Sequence, residues 1–330
     1  MENLPAPEQA RLRVGLVGTG YAAKLRADAL VADPRSHLVA IAGSSLERTQ
    51  EFCEPYAAKA LDRWETLVND PGIDLVVIST VNSVHAAIAQ AALSAGKHVV
   101  VEYPLALDVA AAEALVQLAA QQQKLLHVEH IELLGGVHQA LKANLEAIGQ
   151  PFYARYVTAS PQLPAPQKWT YRHDTFGFPL MGALSRLHRL TDAFGTVTQV
   201  SCQSHFVDGT EPYYTACLCS AQLYFANGAI ADVVYSKGET IWQAERNLEV
   251  QGDRGGLFFV GDAGRLVTAS GTQELDVGGR RGLFVKDTTM VLDHLLSGTP
   301  LYVTPAESLY TLKVAAAAAK SAATGETVRL

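Results

Sequence analysis

Arg13-Val14-Gly15-Leu16-Val17-Gly18-Thr19-Gly20-Tyr21-Ala22-Ala23 is the stretch that decides the fold. A continuous apolar run ends in two closely spaced glycines, and an alanine-rich segment over 22–32 follows with the periodicity of a helix. In that setting Gly18 permits a tight turn, Gly20 lets a pyrophosphate approach the backbone, and Ala23 lets the helix pack closely on the strand. The free amides that open the helix favour negative charge. Gly18, Thr19, Gly20, Tyr21 and Ala22 are therefore the expected phosphate contacts of a dinucleotide, although the same residues also suit a glycine turn in an unrelated α/β protein.

Outward from this stretch, apolar runs at 38–43, 75–80, 98–102 and 125–129 alternate with helical patterns at 46–56, 64–69, 84–95 and 106–121. Strands that are apolar throughout, spaced by helices, predict a parallel sheet covered on both faces in a doubly wound α/β domain. Beyond it the texture changes. Longer alternating runs at 152–159, 197–205, 216–225, 229–235 and 246–251, with turn residues such as Asn227-Gly228, predict a mostly antiparallel open sheet. The expected division is 1–127 for nucleotide binding and 128–330 for substrate, with a last helix over 305–323 packing back on the first domain.

Composition narrows the function classes. The 330 residues carry a net charge of -7 with 18% charged side chains, which argues against a non-specific nucleic-acid binder. No stretch reaches the roughly 18 apolar residues of a membrane span, and residues 1–12 lack an apolar signal core, so a soluble cytoplasmic chain is expected. Cys53, Cys202, Cys217 and Cys219 are too scattered for a disulfide framework. Cys217 and Cys219 alternate along a strand and should face one side together as a structural pair. No Cys/His spacing suggests a metal, and no Ser/His/Asp arrangement stands out.

Cofactor choice should be made after the second strand, at Gly43-Ser44-Ser45-Leu46-Glu47-Arg48. No acid follows Gly43 directly, and Glu47 lies a turn into the helix as a solvated first-turn acid. Ser44, Ser45 and Arg48 suit a 2′-phosphate, so NADPH is expected over NADH unless Arg48 is simply a surface residue. Thr80, Val81, Asn82 and His85 follow the strand expected beside the nicotinamide, and Glu102 and Tyr103 end the next one.

Two motifs identify a family. Residues 12–130 resemble the glucose-fructose oxidoreductase and inositol dehydrogenase superfamily, which pairs a Rossmann domain with an open-sheet domain. Within it, Val101-Glu102-Tyr103-Pro104 and Leu126-His127-Val128-Glu129-His130-Ile131-Glu132-Leu133-Leu134 are similar to the biliverdin reductases. The similarity to their cyanobacterial branch extends over nearly the whole chain, including Phe152-Tyr153-Ala154-Arg155-Tyr156 and Arg280-Arg281-Gly282-Leu283-Phe284. The resemblance implies NADPH-dependent reduction of biliverdin to bilirubin, with hydride delivered to the C10 methine and a proton to a pyrrole nitrogen. Other outcomes compatible with the superfamily are a reductase of another conjugated or carbonyl substrate, or a bilin- or nucleotide-binding sensor without turnover.

The departures from the superfamily's sugar dehydrogenases matter most. Tyr103 stands where they carry a lysine, and if Asp192 is their last aspartate, Ser185, Leu187 and Arg189 stand in place of an aspartate, a glycine and a histidine. Each positioned acid or base contributes about 10²–10⁴-fold in rate, so efficient polyol oxidation is not expected. A helix over 180–194 should instead bring Ser185, Arg186 and Arg189 to one region. The expected catalytic residues are Arg186, Arg189, Glu129, His130 and Tyr103, unless the arginines only pair with Asp174 or Asp192. The expected substrate contacts are Tyr103, His130, Arg172, Ser185, Arg186, Arg189, Arg254 and Arg281, with Arg280 and Lys286 as further candidate partners of the two propionates that are otherwise surface charges.

Overall fold

The computed structural model describes residues 11–330; residues 1–10, most of the stretch predicted to lack a signal core, lie outside the described residues. Six parallel strands form the first sheet: β1 (Leu12–Val17), β2 (Ser36–Ala42), β3 (Lys59–Leu61), β4 (Leu75–Ile78), β5 (His98–Glu102) and β6 (Leu126–Glu129). They lie in the order β3-β2-β1-β4-β5-β6, so the strand order reverses beside β1, where a doubly wound sheet opens a crevice at its carboxyl ends. Their apolar side chains are buried on both faces, as in β4, where all four residues are buried. This sheet extends through Glu129, two residues beyond the division expected at 127.

Nine strands form the second sheet: β7 (Pro151–Pro161), β8 (Val197–Asp208), β9 (Tyr214–Phe225), β10 (Ile230–Gly238), β11 (Glu245–Gly252), β12 (Gly255–Val260), β13 (Ala263–Thr268), β14 (Gly271–Leu275) and β15 (Val328–Arg329). Their order is β14-β13-β12-β11-β7-β10-β9-β8-β15, with β7 and β10 parallel and the remaining pairs antiparallel. Cys217 and Cys219 point together into the core, where Cys219 Sγ lies 3.5 Å from Cys202 Sγ with both thiols free.

Two helices depart from expectation. The segment expected as one helix over 180–194 is two, Pro179–Gly182 and Ser185–Phe194, broken at Ala183, where the backbone leaves helical geometry (φ -112°, ψ 36°). The last helix, Pro305–Thr324, starts on a Thr304/Glu307 capping box and packs chiefly on β8, with further contact to the helix Val109–Gln122 of the first domain. The element that docks on the opening helix of the first domain is instead Leu283–Ser297, which the sequence did not single out. That junction is ionic. Arg26, fully buried on the helix Tyr21–Ala32, reaches Asp287 and Thr288 on the docking helix and donates to Glu102 Oε1 at 3.0 Å. Asp287 also accepts from Tyr302 at 2.7 Å and meets His127 Nε2 at 2.8 Å. One buried carboxylate thus ties both domains to the strand end that carries Glu102.

Candidate active site

A cleft of about 820 Å³ opens at the carboxyl ends of β1, β4, β5 and β6. Its floor is the glycine turn. Gly18 has φ +125°, and a side chain there would put a Cβ 2.0 Å from the Ser79 carbonyl, so only glycine lets β1 and β4 approach this closely. Gly20 faces open space, with no atom within 4 Å of the place a Cβ would take, and no side chain caps the helix it begins. Uncapped amides beside an open glycine fit a dinucleotide pyrophosphate. Thr19, Tyr21 and Ala22 share this lining.

At the ribose end Ser44 lines the cleft, but Ser45 and Arg48 do not. Ser45 caps the helix Leu46–Cys53 by accepting from the Arg48 amide at 3.4 Å, and the Arg48 side chain is exposed on its first turn. Opposite, Thr80, Val81, Asn82 and His85 form one wall, as expected. Asn82 donates to the Phe176 carbonyl at 3.0 Å, joining that wall to the second domain. His85 is fully buried between the carbonyls of Pro104 (2.9 Å) and Thr80 (3.1 Å) and fixes the loop after β4; burial lowers its pKa against the pull of these two carbonyls.

The acids sit at the inner end. Glu102 holds Arg26, while Glu129, buried at the end of β6, lines the same cleft and accepts from the Ile131 amide at 2.5 Å. Burial, and then the neighbouring Glu102 carboxylate, push Glu129 well above the usual carboxyl range, favouring its protonated form. Burial also pushes the Tyr103 phenol up to about 12; its hydroxyl donates to Ser185 Oγ at 3.2 Å. Ser185 accepts from Arg186 Nη1 at 2.9 Å as well, which aligns a phenol, a hydroxyl and a guanidinium across the domain boundary.

Arg186 and Arg189 line a smaller cavity that adjoins the cleft through Glu132 and Arg280. Arg186 lies over the Tyr235 ring at 5.5 Å and Arg189 over Tyr156 at 5.6 Å. Neither pairs with Asp174 or Asp192: Arg189 meets Glu132, Asp174 holds Arg172, and Asp192 holds His138 and Lys142.

Four expected contacts fall elsewhere. His130 is fully buried, its Nε2 at 2.9 Å from Ser308 Oγ and its edge against His188; it backs the Tyr103 ring at 5.3 Å, because the chain turns after β6 and sends this side chain toward the last helix. Arg172 is bound to Asp174 at the surface, and Arg254 donates to the Glu146 carbonyl, outside either cavity. Arg281 is exposed and faces away, whereas its neighbour Arg280 lines both cavities. Glu132, Arg246 and Asp262 are charged lining residues missing from the expected set. Glu132 lay within the motif already quoted, but the partners that give it meaning come from distant segments.

Comparison with known proteins agrees with this geometry. Residues 12–130 match the oxidoreductase family, NAD-binding Rossmann fold, and residues 142–330 its C-terminal alpha/beta domain. A biliverdin reductase from Synechocystis sp. PCC 6803, crystallised with biliverdin and NADP+, is 54% identical over 94% of this chain and 99% of its own, with a TM-score of 0.92. Biliverdin reductase A of Mus musculus is 37% identical over 137 residues, which are 42% of this chain and 43% of that protein. An aldose-aldose oxidoreductase from Caulobacter crescentus, 20% identical over 97% of this chain and 100% of its own with a TM-score of 0.83, shares the fold alone. The chain belongs to the oxidoreductase family that joins an NAD-binding Rossmann fold to a C-terminal alpha/beta domain, on the same branch as the Synechocystis biliverdin reductase.

Proposed function

We propose that this protein reduces biliverdin to bilirubin with NADPH. The observation that carries this is the 54% identity to a biliverdin reductase over 99% of that enzyme, which was crystallised with biliverdin and NADP+. Around it, the glycine turn suits the pyrophosphate, and Arg186 and Arg189 line the cavity that adjoins this cleft. When bound, NADPH supplies the hydride, which is assigned to the C10 methine.

The chain's own residues do the rest. Arg186 stabilises the negative charge that builds on the bilin as hydride arrives; a guanidinium is a poor proton donor, so its part is electrostatic. Glu129 is the cleft-lining carboxyl whose protonated form burial favours, and we assign it the proton that goes to a pyrrole nitrogen. Once Glu129 has given its proton, Arg26 is the cation that steadies the carboxylate left behind. Tyr103 and Ser185 orient Arg186. A cytoplasmic location fits four free, buried thiols.

Tyr103→Phe is expected to keep turnover within about tenfold of the parent, since it loses one neutral hydrogen bond worth about 0.5–1.5 kcal/mol. A loss beyond about 10²-fold with both ligands still bound would make the phenol a proton donor. Arg48 is exposed on the first turn of the helix that follows the cleft-lining Ser44, and Arg48→Ala should raise the KM for NADPH much more than that for NADH. Equal effects on the two cofactors would remove it from 2′-phosphate recognition. The function itself is tested by mixing the protein with biliverdin and NADPH: biliverdin absorbance should disappear mole for mole with NADPH. Binding of both without bleaching would contradict it.

A further inference from the structure

Glu132 stands between the two cavities and lines both. The short turn Ile131–Leu133 holds it there, with Oε2 accepting from Arg189 Nη2 at 3.3 Å and Oε1 from Arg280. Arg189 is not saturated by it. Arg189 is 3% exposed, yet its Nε and Nη1 are buried without a hydrogen-bond partner, and so is the Nε of Arg186 on the same cavity wall. Buried donors of charged groups are normally paired, so these three N–H positions point to an acceptor brought by a ligand.

The charge balance says what kind. Among the residues lining the smaller cavity, the guanidiniums of Arg186, Arg189, Arg246 and Arg280 face the carboxylates of Glu132 and Asp262, an excess of two positive charges. Asp262 is committed to Arg246 at 2.6 Å. Glu132 is held less firmly: its contact to Arg189 is long for a charge-assisted bond, and Arg280 is half exposed, where ion pairs are weak.

We propose that Glu132 is a displaceable counterion, whose place on Arg189 and Arg280 is taken by a carboxylate of the substrate. Resting on the assignment of biliverdin, this makes Glu132 and Arg280 the residues that select a bilin with free propionates over one whose propionates are esterified. Glu132 lowers affinity for every anion that enters, and only a ligand able to replace it on both arginines recovers the loss.

The test is a pair of absorbance titrations, with biliverdin and with its dimethyl ester, on the NADP+-loaded protein. Glu132→Gln keeps the shape and removes the charge; it should tighten biliverdin about 3- to 10-fold and change the ester less than about twofold. Arg280→Ala, at a half-exposed site where folding is not at stake, should weaken biliverdin about tenfold and leave the ester unchanged. In the double variant the gain from Glu132→Gln should shrink, because one of the two arginines it frees is gone. Weaker binding of biliverdin by Glu132→Gln, or equal shifts for acid and ester, would overturn the proposal and make Glu132 a mere support for the arginines. Turnover is read separately by bleaching with NADPH: selective tightening without turnover sinks the assigned reaction and leaves the counterion standing, and turnover with unselective binding does the reverse.

Discussion

Arg186→Ala is expected to lower the single-turnover rate of biliverdin reduction by about 10²–10³-fold, the cost of removing one preorganised donor from developing negative charge. NADPH affinity should be nearly unchanged, because Arg186 belongs to the second domain and lines the smaller cavity, not the glycine turn. Arg186→Lys should recover little. The guanidinium lies over Tyr235 and reaches Ser185 with one nitrogen, which leaves its buried Nε for an acceptor on the substrate; an ammonium keeps the charge but loses that planar fork. Single turnover of enzyme preloaded with both ligands separates the chemical step from binding. A normal rate there would shift the charge-stabilising part to Arg189 or Arg280.

The second large effect is on stability. Asp287→Asn is expected to cost about 3–5 kcal/mol, the range for breaking a buried ion pair and leaving one charge behind. Asp287 is fully buried and receives Arg26, His127 and Tyr302, and the Asn side chain gives Arg26 no charge to meet. Urea unfolding should show a lower midpoint. Burial alone pushes the Asp287 carboxyl up, but Arg26 and then His127 outweigh it and hold it well below its ordinary value of 3.8. The folded value lies below the unfolded one, so the contribution is complete above about pH 5 and is lost as pH falls through the folded value. The gap between parent and variant should therefore be flat from about pH 5 to 8 and narrow only below about pH 4. A gap that closed near neutral pH would mean that another group carries the junction.

Much of the first domain was legible because its signals are local. Val14 to Gly20 carry strand, turn and helix start within a few residues, and each apolar strand run recurs at the spacing of a crossover helix. The second sheet was legible where strands are long and alternate, and invisible at β12–β14, which are short and include β14, mostly exposed. The break at Ala183 directly follows Gly182, a poor helix former whose single occurrence gives only a weak signal, and Tyr103 holds Ser185 across the domain boundary just beyond it. For the site, the cofactor wall was readable by position along the fold, while the arginines were not. Arg280 and Arg281 are adjacent and chemically identical, and which one faces the cavity depends on the turns at Gly278 (φ +62°) and Gly282 (φ +78°). Arg26 and Asp287, 261 residues apart, give no sequence signal of meeting. His130 misled because it sits in the most informative motif, yet its side chain turns inward to support Tyr103.

The proposed reaction passes hydride from NADPH to the central methine of biliverdin in the cleft that holds Glu102 and Glu129 and adjoins the cavity lined by Arg186 and Arg189. Its most direct test is reduction with NADPH deuterated at the nicotinamide C4 position on the transferred face, followed by mass and magnetic-resonance analysis of the product. One deuterium in bilirubin, located at C10, is the expected result. Product with no deuterium from either face of the label, or with deuterium at any other carbon, would contradict the account.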